Sequence, residues 1–171
     1  ASNGGGTASA PMPTHASVYT GYTRGYWFTA PVDFTITALQ VPTEASTANQ
    51  SIAVLMYPVG PPPAAGTAVF GFSTLYITQN NPTSGPISVN IPVLAGQHIV
   101  IIGNRGNDAT NNFAAANSYD GGAVFTTTID GNSVELFRAG MQSCLTGFDP
   151  NTTGILIATG QRGRILFSYE V

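Results

Sequence analysis

The stretch ISVNIPV, residues 87–93, alternates apolar and polar side chains along its whole length. In an extended chain its isoleucines and valines would lie on one face, and its serine and asparagine on the other. The segment RILFSYEV, residues 164–171, shows the same alternation. One apolar and one polar face are typical of a half-buried antiparallel strand. The two segments therefore predict a sheet that covers a core with one of its faces.

Similar short segments follow one another from residue 16 onward. They are rich in β-branched and aromatic residues, and clusters of glycine, proline and asparagine separate them. IDGNSV, residues 129–134, predicts a hairpin, because Asp-Gly tolerates the positive φ angles of a two-residue turn. The pattern predicts an all-β protein, an antiparallel, jelly-roll-like β-sandwich of about 10–12 short strands. The long polar segment 103–122 is predicted to be a functional loop.

The low content of charged residues indicates which residue types cover the surface of this sandwich. The chain has 171 residues, enough for one domain, and only 8% of them are charged. The surface must therefore consist mainly of threonine, serine, asparagine, glutamine and glycine. A net charge of -3 with no lysine gives no basic stripe, which argues against nucleic acid as a partner. The apolar runs are far shorter than the roughly 20 residues of a membrane-spanning helix, so no membrane span is predicted.

The N-terminal residues 1–20 are predicted to be a flexible arm ahead of a sandwich domain at 21–171. The arm begins with the glycine-rich ASNGGGTASAPMP and continues with THASVYT, which has the composition of a strand. Such a strand can pair with its own sheet or be donated to a neighbouring subunit. Edge strands of monomers are usually protected by charges, of which this chain has few. The residues expected to contact a neighbour are His15, Ala16, Val18 and Tyr19.

The stretch GYTRGYWFTA, residues 21–30, places one of five basic residues among aromatic rings. In an extended strand Tyr22, Arg24 and Tyr26 share a face, so Arg24 would lie over tyrosine rings and hold loop carbonyls. Alternatively, Trp27 is a platform for a sugar ring or a partner subunit, as exposed aromatic residues often are. The further candidates for contact with a partner or a glycan are Tyr22, Arg24, Tyr26 and Tyr119.

Signs of catalysis are weak, and the chain is predicted not to be an enzyme. The G-x-S-x-G motif is absent, and neither His15 nor His98 is near an evident nucleophile. The single cysteine, Cys144, allows no intrachain disulfide, and a Cys/His zinc site lacks ligands. The enzymatic alternative is a hydrolase whose site is assembled from the segments 103–122 and 140–153.

No cofactor is predicted, although the acidic turns would suit one metal. Calcium takes carboxylate and carbonyl oxygens, and Asp108 and Asp120 are the candidate ligands. Two sequons, NQS at Asn49 and NTT at Asn151, are candidate N-glycosylation sites.

The order YWFTAPVDFTITALQVP, QSIAVLMYP and ISVNIPVLAGQHIVIIG resembles the jelly-roll-like sandwich domains of bacterial secreted and cell-surface proteins. The resemblance covers residues 24–103 and consists of apolar positions and turns, without a catalytic signature. It implies the fold class and an extracellular location. Domains of this type are adhesion, matrix or anchoring modules.

These observations together predict an extracellular structural subunit. Copies of the chain would assemble into a fibre, pilus-like filament, sheet or matrix layer, with the N-terminal strand exchanged between subunits. The alternative is a secreted carbohydrate-binding module with glycans as partners. The sequence starts at Ala1 without an initiator methionine or an apolar leader, as expected of a secreted chain after removal of its signal peptide.

Overall fold

The computed structural model describes residues 7–57, 60–62, 66, 68–106, 115–143, 145, 148–149 and 152–171. Strands make up most of the described chain, and every pair of neighbouring strands is antiparallel. The first seven strands are β1 (Ala8–Ser9), β2 (Ser17–Gly21), β3 (Thr23–Thr29), β4 (Phe34–Gln40), β5 (Gln50–Tyr57), β6 (Ala68–Val69) and β7 (Ser73–Asn81). The others are β8 (Ile87–Val93), β9 (His98–Arg105), β10 (Ala115–Tyr119), β11 (Phe125–Ile129), β12 (Asn132–Met141), β13 (Ile155–Ala158) and β14 (Leu166–Glu170).

Two sheets contain these strands. The smaller has four strands in the order β1-β14-β4-β8. The larger has ten, and its central part runs β7-β5-β9-β3-β12-β13-β6. The pair β2 and β10 extends it at the end of β9, where Ala116 lies opposite Arg105, and β11 pairs with the first half of β12.

The main hydrophobic core lies between the two sheets. Phe28 and Ile101 of the larger sheet pack in it with Ile36 and Phe167 of the smaller one. Phe28 and Phe167 stack with ring centroids 5.9 Å apart. The alternating strands β8 and β14 each contribute one apolar face to this core, which is why their sequences have period two. The prediction of an all-β antiparallel sandwich is confirmed.

A second hydrophobic cluster lies on the opposite face of the larger sheet. Trp27, Leu55 and Val100 belong to it, and Phe72 and Leu145 cover them. The central strands are therefore buried on both faces. This explains why IAVLM (52–56) and IVII (99–102), in the middle of these strands, are apolar without interruption instead of alternating.

Two segments differ from the sequence predictions in their local structure. Residues 115–119, within the predicted loop 103–122, form β10, which pairs with β2 over its whole length. Ala8 and Ser9, in the predicted flexible lead, pair with β14. Both strands are made of small and polar residues, so their pairing comes from distant neighbours and not from local propensity. The hairpin at 129–134 does form, with φ angles of 52° at Asp130 and 77° at Gly131.

One outer edge of each sheet is protected without charged residues. β7 is nine residues long and uncharged, but two register shifts against β5 each add one residue on β7. β8 carries a similar shift against β4 and contains Pro92, which has no N–H to donate. Bulges and prolines are two devices that prevent edge-to-edge pairing. They take the place of the charges that the composition lacks.

Candidate functional site

The candidate site is the segment formed by residues 8–21, which we call the strap, with the surface it covers. Its first part lies on the edge of the smaller sheet. Ala8 is in register with Tyr169 and Ser9 with Ser168, and the two serine hydroxyls are 3.3 Å apart. The amide of Ala10 donates to the carbonyl of Phe167 at 3.2 Å. The strap thereby covers the edge of β14 with main-chain hydrogen bonds.

Side chains of the sandwich hold the middle of the strap by its carbonyl groups. Thr127 Oγ1 donates to the carbonyl of Pro11 at 2.6 Å, and Arg164 Nε donates to the carbonyl of Pro13 at 2.5 Å. The amide of Ala16 then donates to the carbonyl of Tyr119 at 2.7 Å. Proline has no N–H to donate, so hydrogen bonds can hold these two positions only through their carbonyl oxygens.

A polar cluster fixes His15. Its Nδ1 is 2.7 Å from Ser118 Oγ and 3.7 Å from Glu44 Oε1. Ser118 Oγ donates to Glu44 Oε1 at 3.1 Å, and Arg164 Nη1 donates to both oxygens. Burial alone would raise the pKa of Glu44, but Arg164, Ser118 and His15 together hold it below its ordinary value. The cluster connects the strap to two separate loops and to β10.

These residues do not form a catalytic triad, although Ser118, His15 and Glu44 are the right residue types. In a triad the acid contacts the histidine nitrogen that faces away from the serine. Here the serine and Glu44 both lie on the Nδ1 side, and the serine hydroxyl is bonded to the acid itself. Ser118 is also buried, at 1% exposure. The geometry suits a structural clamp.

The last part of the strap is β2, which extends the larger sheet. Its residues Ser17 to Gly21 pair with Tyr119 to Ala115 of β10. The ring of Tyr19 lies parallel to that of Tyr119, with centroids 5.0 Å apart and an angle of 7°. Val18 is exposed at 46%, and Ala16 is exposed as well. Tyr19 is thus the side chain that anchors this end of the strap.

Arg24 lies against the ring of Tyr19, and its guanidinium donates hydrogen bonds to backbone carbonyls. Its guanidinium is 5.2 Å from the ring centroid of Tyr19 and 5.7 Å from that of Tyr22. Nη1 donates to the carbonyls of Thr23 and Met141, both at 3.0 Å. Nη2 donates to Gln142 Oε1 at 2.7 Å. These contacts match the structural interpretation of Arg24, in which it holds carbonyls and lies over tyrosine rings.

The aromatic residues proposed as contacts lie in different places. Trp27 is only 6% exposed and stacks on Phe137 at 4.7 Å, so the expectation of an accessible platform at Trp27 is corrected. The sequence does not show that a second cluster covers this face of β3. Tyr26 lies in the main core, where its hydroxyl donates to the carbonyl of Ile165 at 2.6 Å and burial raises its pKa.

Tyr119 is also buried and is enclosed by the strap. Tyr19 covers one side of its ring, and the Arg138 guanidinium is 6.0 Å from the ring centroid. Burial raises the pKa of the Tyr119 phenol, and the charges of Arg24 and Arg138 offset part of that rise. Of the residues predicted around Arg24, Tyr22 and Arg24 lie with Tyr19 and Tyr119 at this end of the sheet, whereas Tyr26 and Trp27 lie in the two hydrophobic clusters.

Two further arginines, Arg105 and Arg162, are structural. Arg105 is 1% exposed and donates to the carbonyls of Val41 at 2.8 Å, Ala48 at 2.9 Å and Ser84 at 2.7 Å. Burial lowers the pKa of Arg105. A sequence signal for these roles exists, because in a chain with 8% charged residues each arginine is conspicuous.

Asp120, a candidate calcium ligand, is bonded to the second of these arginines. Arg162 Nε donates to Asp120 Oδ2 at 2.6 Å, and Asp120 Oδ1 accepts from the amides of Gly122 and Arg162. Asp108 lies outside the described residues. Within the described ranges no three His, Cys, Asp or Glu side chains are grouped as metal ligands. The donors around Asp120 therefore do not fit a calcium ion.

Of the two sequons, NQS at Asn49 lies within the described residues. Asn49 is exposed at the start of β5, and its Nδ2 donates to the carbonyl of Asn80 at 3.4 Å. Asn151, like Cys144, lies outside the described residues.

The fold and this site define an antiparallel β-sandwich with an N-terminal strap across one side. Comparison with protein-family models, characterised proteins and solved structures finds no match for the chain. Across the described residues no helix has the length and apolar character to cross a membrane.

Proposed function

We propose that the chain is an extracellular structural subunit that self-assembles by exchanging the strap between copies. The observation that carries this proposal is that the strap pairs as a strand with both sheets. It adds a short strand to one edge of each sheet and inserts Tyr19 against Tyr119. Strand addition of this kind joins separate chains in many extracellular fibres.

The edges beneath the strap support the proposal, because they lack the protection found elsewhere. β7 and β8 carry bulges, and β8 a proline. By contrast, β10 and β14 contain no proline, and Glu170 is their single charge. An unprotected edge must be covered by a strand, from the same chain or from another.

The junction between strap and sandwich favours exchange. Gly21 has a φ of +149°, a conformation open to glycine, where the chain passes from β2 into β3. A strap that pivots here would make the same contacts on a neighbour as on its own sandwich. Exchange of identical elements is a low-cost route to oligomers. If each copy donates to the next in one direction, the assembly is a filament.

The surface charge also suits a packed assembly. With 8% charged residues and a net charge of -3, neighbouring copies repel each other weakly. An adhesive or matrix role at a bacterial cell surface, as the resemblance implies, belongs to the same proposal.

A reversible lock on the strap tests this function. Replacing Ser9 and Ser168 by cysteine in a Cys144→Ser background places two thiols where hydroxyls lie 3.3 Å apart. Oxidation in dilute solution should give a monomer with the strap fixed to its own sandwich. Light scattering of the concentrated protein should then show assembly only after reduction. A control disulfide between Thr128→Cys and Ser133→Cys, opposite each other in the β11–β12 hairpin, should leave assembly unchanged.

Equal assembly of the oxidised and reduced forms of the Ser9–Ser168 variant would contradict strap exchange.

A further inference from the structure

The hydrogen bonds around His15 are all directed toward the carboxylate of Glu44. His15 Nδ1 and Arg164 Nη1 lie 2.7 and 2.8 Å from Ser118 Oγ, which in turn lies 3.1 Å from Glu44 Oε1. A hydroxyl has one proton to donate. Because Ser118 donates this proton to Glu44, it accepts from both His15 and Arg164. Arg164 Nη1 also donates directly to Glu44 Oε1. These four residues, the Glu44 cluster, therefore consist of donors around one acceptor, which suits an ionised carboxylate.

Arg164 connects this carboxylate to the backbone of the strap. Its Nε donates to the carbonyl of Pro13 at 2.5 Å, while Nη1 bonds to Glu44 and Ser118. The side chain of Arg164 is 13% exposed and that of Glu44 is 39% exposed. A proton from the solvent can therefore reach Glu44, whereas water can replace only part of the contacts of Arg164. The ionisation of Glu44 thus determines whether Arg164 stays where it binds Pro13.

The charges around His15 become unbalanced when Glu44 is protonated. Histidine side chains carry a positive charge in acid, so His15 and Arg164 are then two cations against one hydroxyl. Protonation removes the negative charge that they share, and like charges at this distance repel each other. On the other side of His15 a cavity of about 290 Å³ is bordered by Asp120 and Arg162, which are bonded to each other at 2.6 Å. Protonation of Glu44 therefore turns an attractive cluster into a repulsive one.

We propose that Glu44 makes the strap acid-sensitive: protonation of its carboxyl releases residues 13–16 from the sandwich and frees the strap for exchange. The release is a property of the single chain, whereas its use in assembly rests on the proposed function. Burial alone would raise the pKa of Glu44, but Arg164, Ser118 and His15 hold it below its ordinary value. The strap is therefore held above about pH 4.3, where an unfolded glutamate titrates, and is released as the pH falls through the folded pKa.

Amide hydrogen exchange of the full chain tests the release. The protein is kept at a concentration at which light scattering gives the mass of one chain. Exchange is measured at about pH 5 and about pH 3, on either side of the range in which glutamate titrates. Each rate is divided by the intrinsic rate at that pH to give a protection factor. Relative to β5 and β9, the protection of Ala16 and β2 should fall at least about tenfold in acid, the scale of one lost charge-assisted hydrogen bond.

Three variants separate the role of Glu44 from general acid effects. Glu44→Gln should have at least about tenfold lower protection of Ala16 and β2 already at pH 5, without a further fall at pH 3. Ser118→Ala keeps the pair of Glu44 with Arg164 but removes one donor that lowers the pKa of Glu44, so release should occur at a higher pH. Glu135→Gln changes an exposed acid on β12 and should behave as the wild type.

Two results would overturn the proposal. The first is equal protection of Ala16 and β2 in the wild type at both pH values. The second is an equal acid-induced loss in the wild type and Glu44→Gln, which would place the titrating group elsewhere, for example at Asp120. Light scattering of the concentrated protein then tests the use of the release, since the wild type should assemble faster at pH 3 than at pH 5 and Glu44→Gln equally fast at both. Release without any gain in mass would support the acid-sensitive strap and contradict strap exchange.

Discussion

Replacing Tyr19 by alanine should detach the end of the strap. The change removes a parallel ring contact with Tyr119 at 5.0 Å and a cation-π contact with Arg24 at 5.2 Å. An aromatic pair contributes about 0.5–1.5 kcal/mol beyond area burial, and a partly exposed cation-π contact about 0.5–1 kcal/mol. With the lost burial of a half-exposed ring, we expect the free energy of unfolding to fall by about 2 kcal/mol.

The assay is chemical denaturation combined with amide hydrogen exchange. In Tyr19→Ala the amides of β2 and β10 should exchange much faster, while those of β5 and β9 change only with global stability. Tyr19→Phe keeps both ring contacts and should lie within about 0.5 kcal/mol of the wild type. A Tyr19→Ala chain with unchanged stability and unchanged exchange in β2 would refute the assignment of Tyr19 as the anchor.

Three other changes have definite expected results. Arg105→Met should lower the free energy of unfolding by about 1–3 kcal/mol in a denaturation experiment, because it leaves the buried carbonyl of Val41 without its donor and removes two part-buried hydrogen bonds to Ala48 and Ser84. An unchanged midpoint would show that water replaces the guanidinium. The pKa of Glu44 is lowered in the folded protein, so the stability that this carboxylate provides is present above its unfolded pKa and is lost as the pH falls through its folded pKa. Glu44→Gln should therefore flatten this part of the curve of stability against pH. Identical curves for the variant and the wild type would contradict this role of Glu44. Gly131→Ala should destabilise the hairpin by about 1 kcal/mol in a thermal melt, because the φ angle of Gly131 is 77°. Gly85→Ala is the control and should leave the melt unchanged, because a Cβ at Gly85 meets no atom within 4 Å.

The features that the sequence predicts well are those that a few neighbouring residues determine. Alternation in residues 87–93 follows from one buried face, and the Asp130-Gly131 pair determines its own turn. The uninterrupted apolar segment at 99–102 predicts a buried strand but does not show that each face belongs to a different cluster. The burial of Trp27 follows from that second cluster, so local pattern could not predict it.

The site is harder to predict because its contacts join distant parts of the chain. Arg164 and the carbonyl of Pro13 are separated by 151 positions, and His15 and Ser118 by 103. The strand AANSY, residues 115–119, has little β propensity, and it forms because β2 supplies a partner. The composition gives one useful indication. Charges are so few that an isolated acid such as Glu44, the only one between Asp33 and Asp108, is a candidate for a specific partner.

Cross-linking between two different chains is the most direct test of strap exchange. One chain carries Ser9→Cys, the other Ser168→Cys with a mass tag, and both carry Cys144→Ser. After the two are mixed, assembled and oxidised, strap exchange predicts a disulfide-linked pair of unequal chains on a non-reducing gel, since Ser9 of one copy lies against Ser168 of the next. A mixture of Ser9→Cys with Ser88→Cys, an exposed position on β8, should give far less of this product. If the Ser9–Ser168 mixture gives no more unequal pairs than this control, the strap stays on its own sandwich and assembly by strap exchange is contradicted.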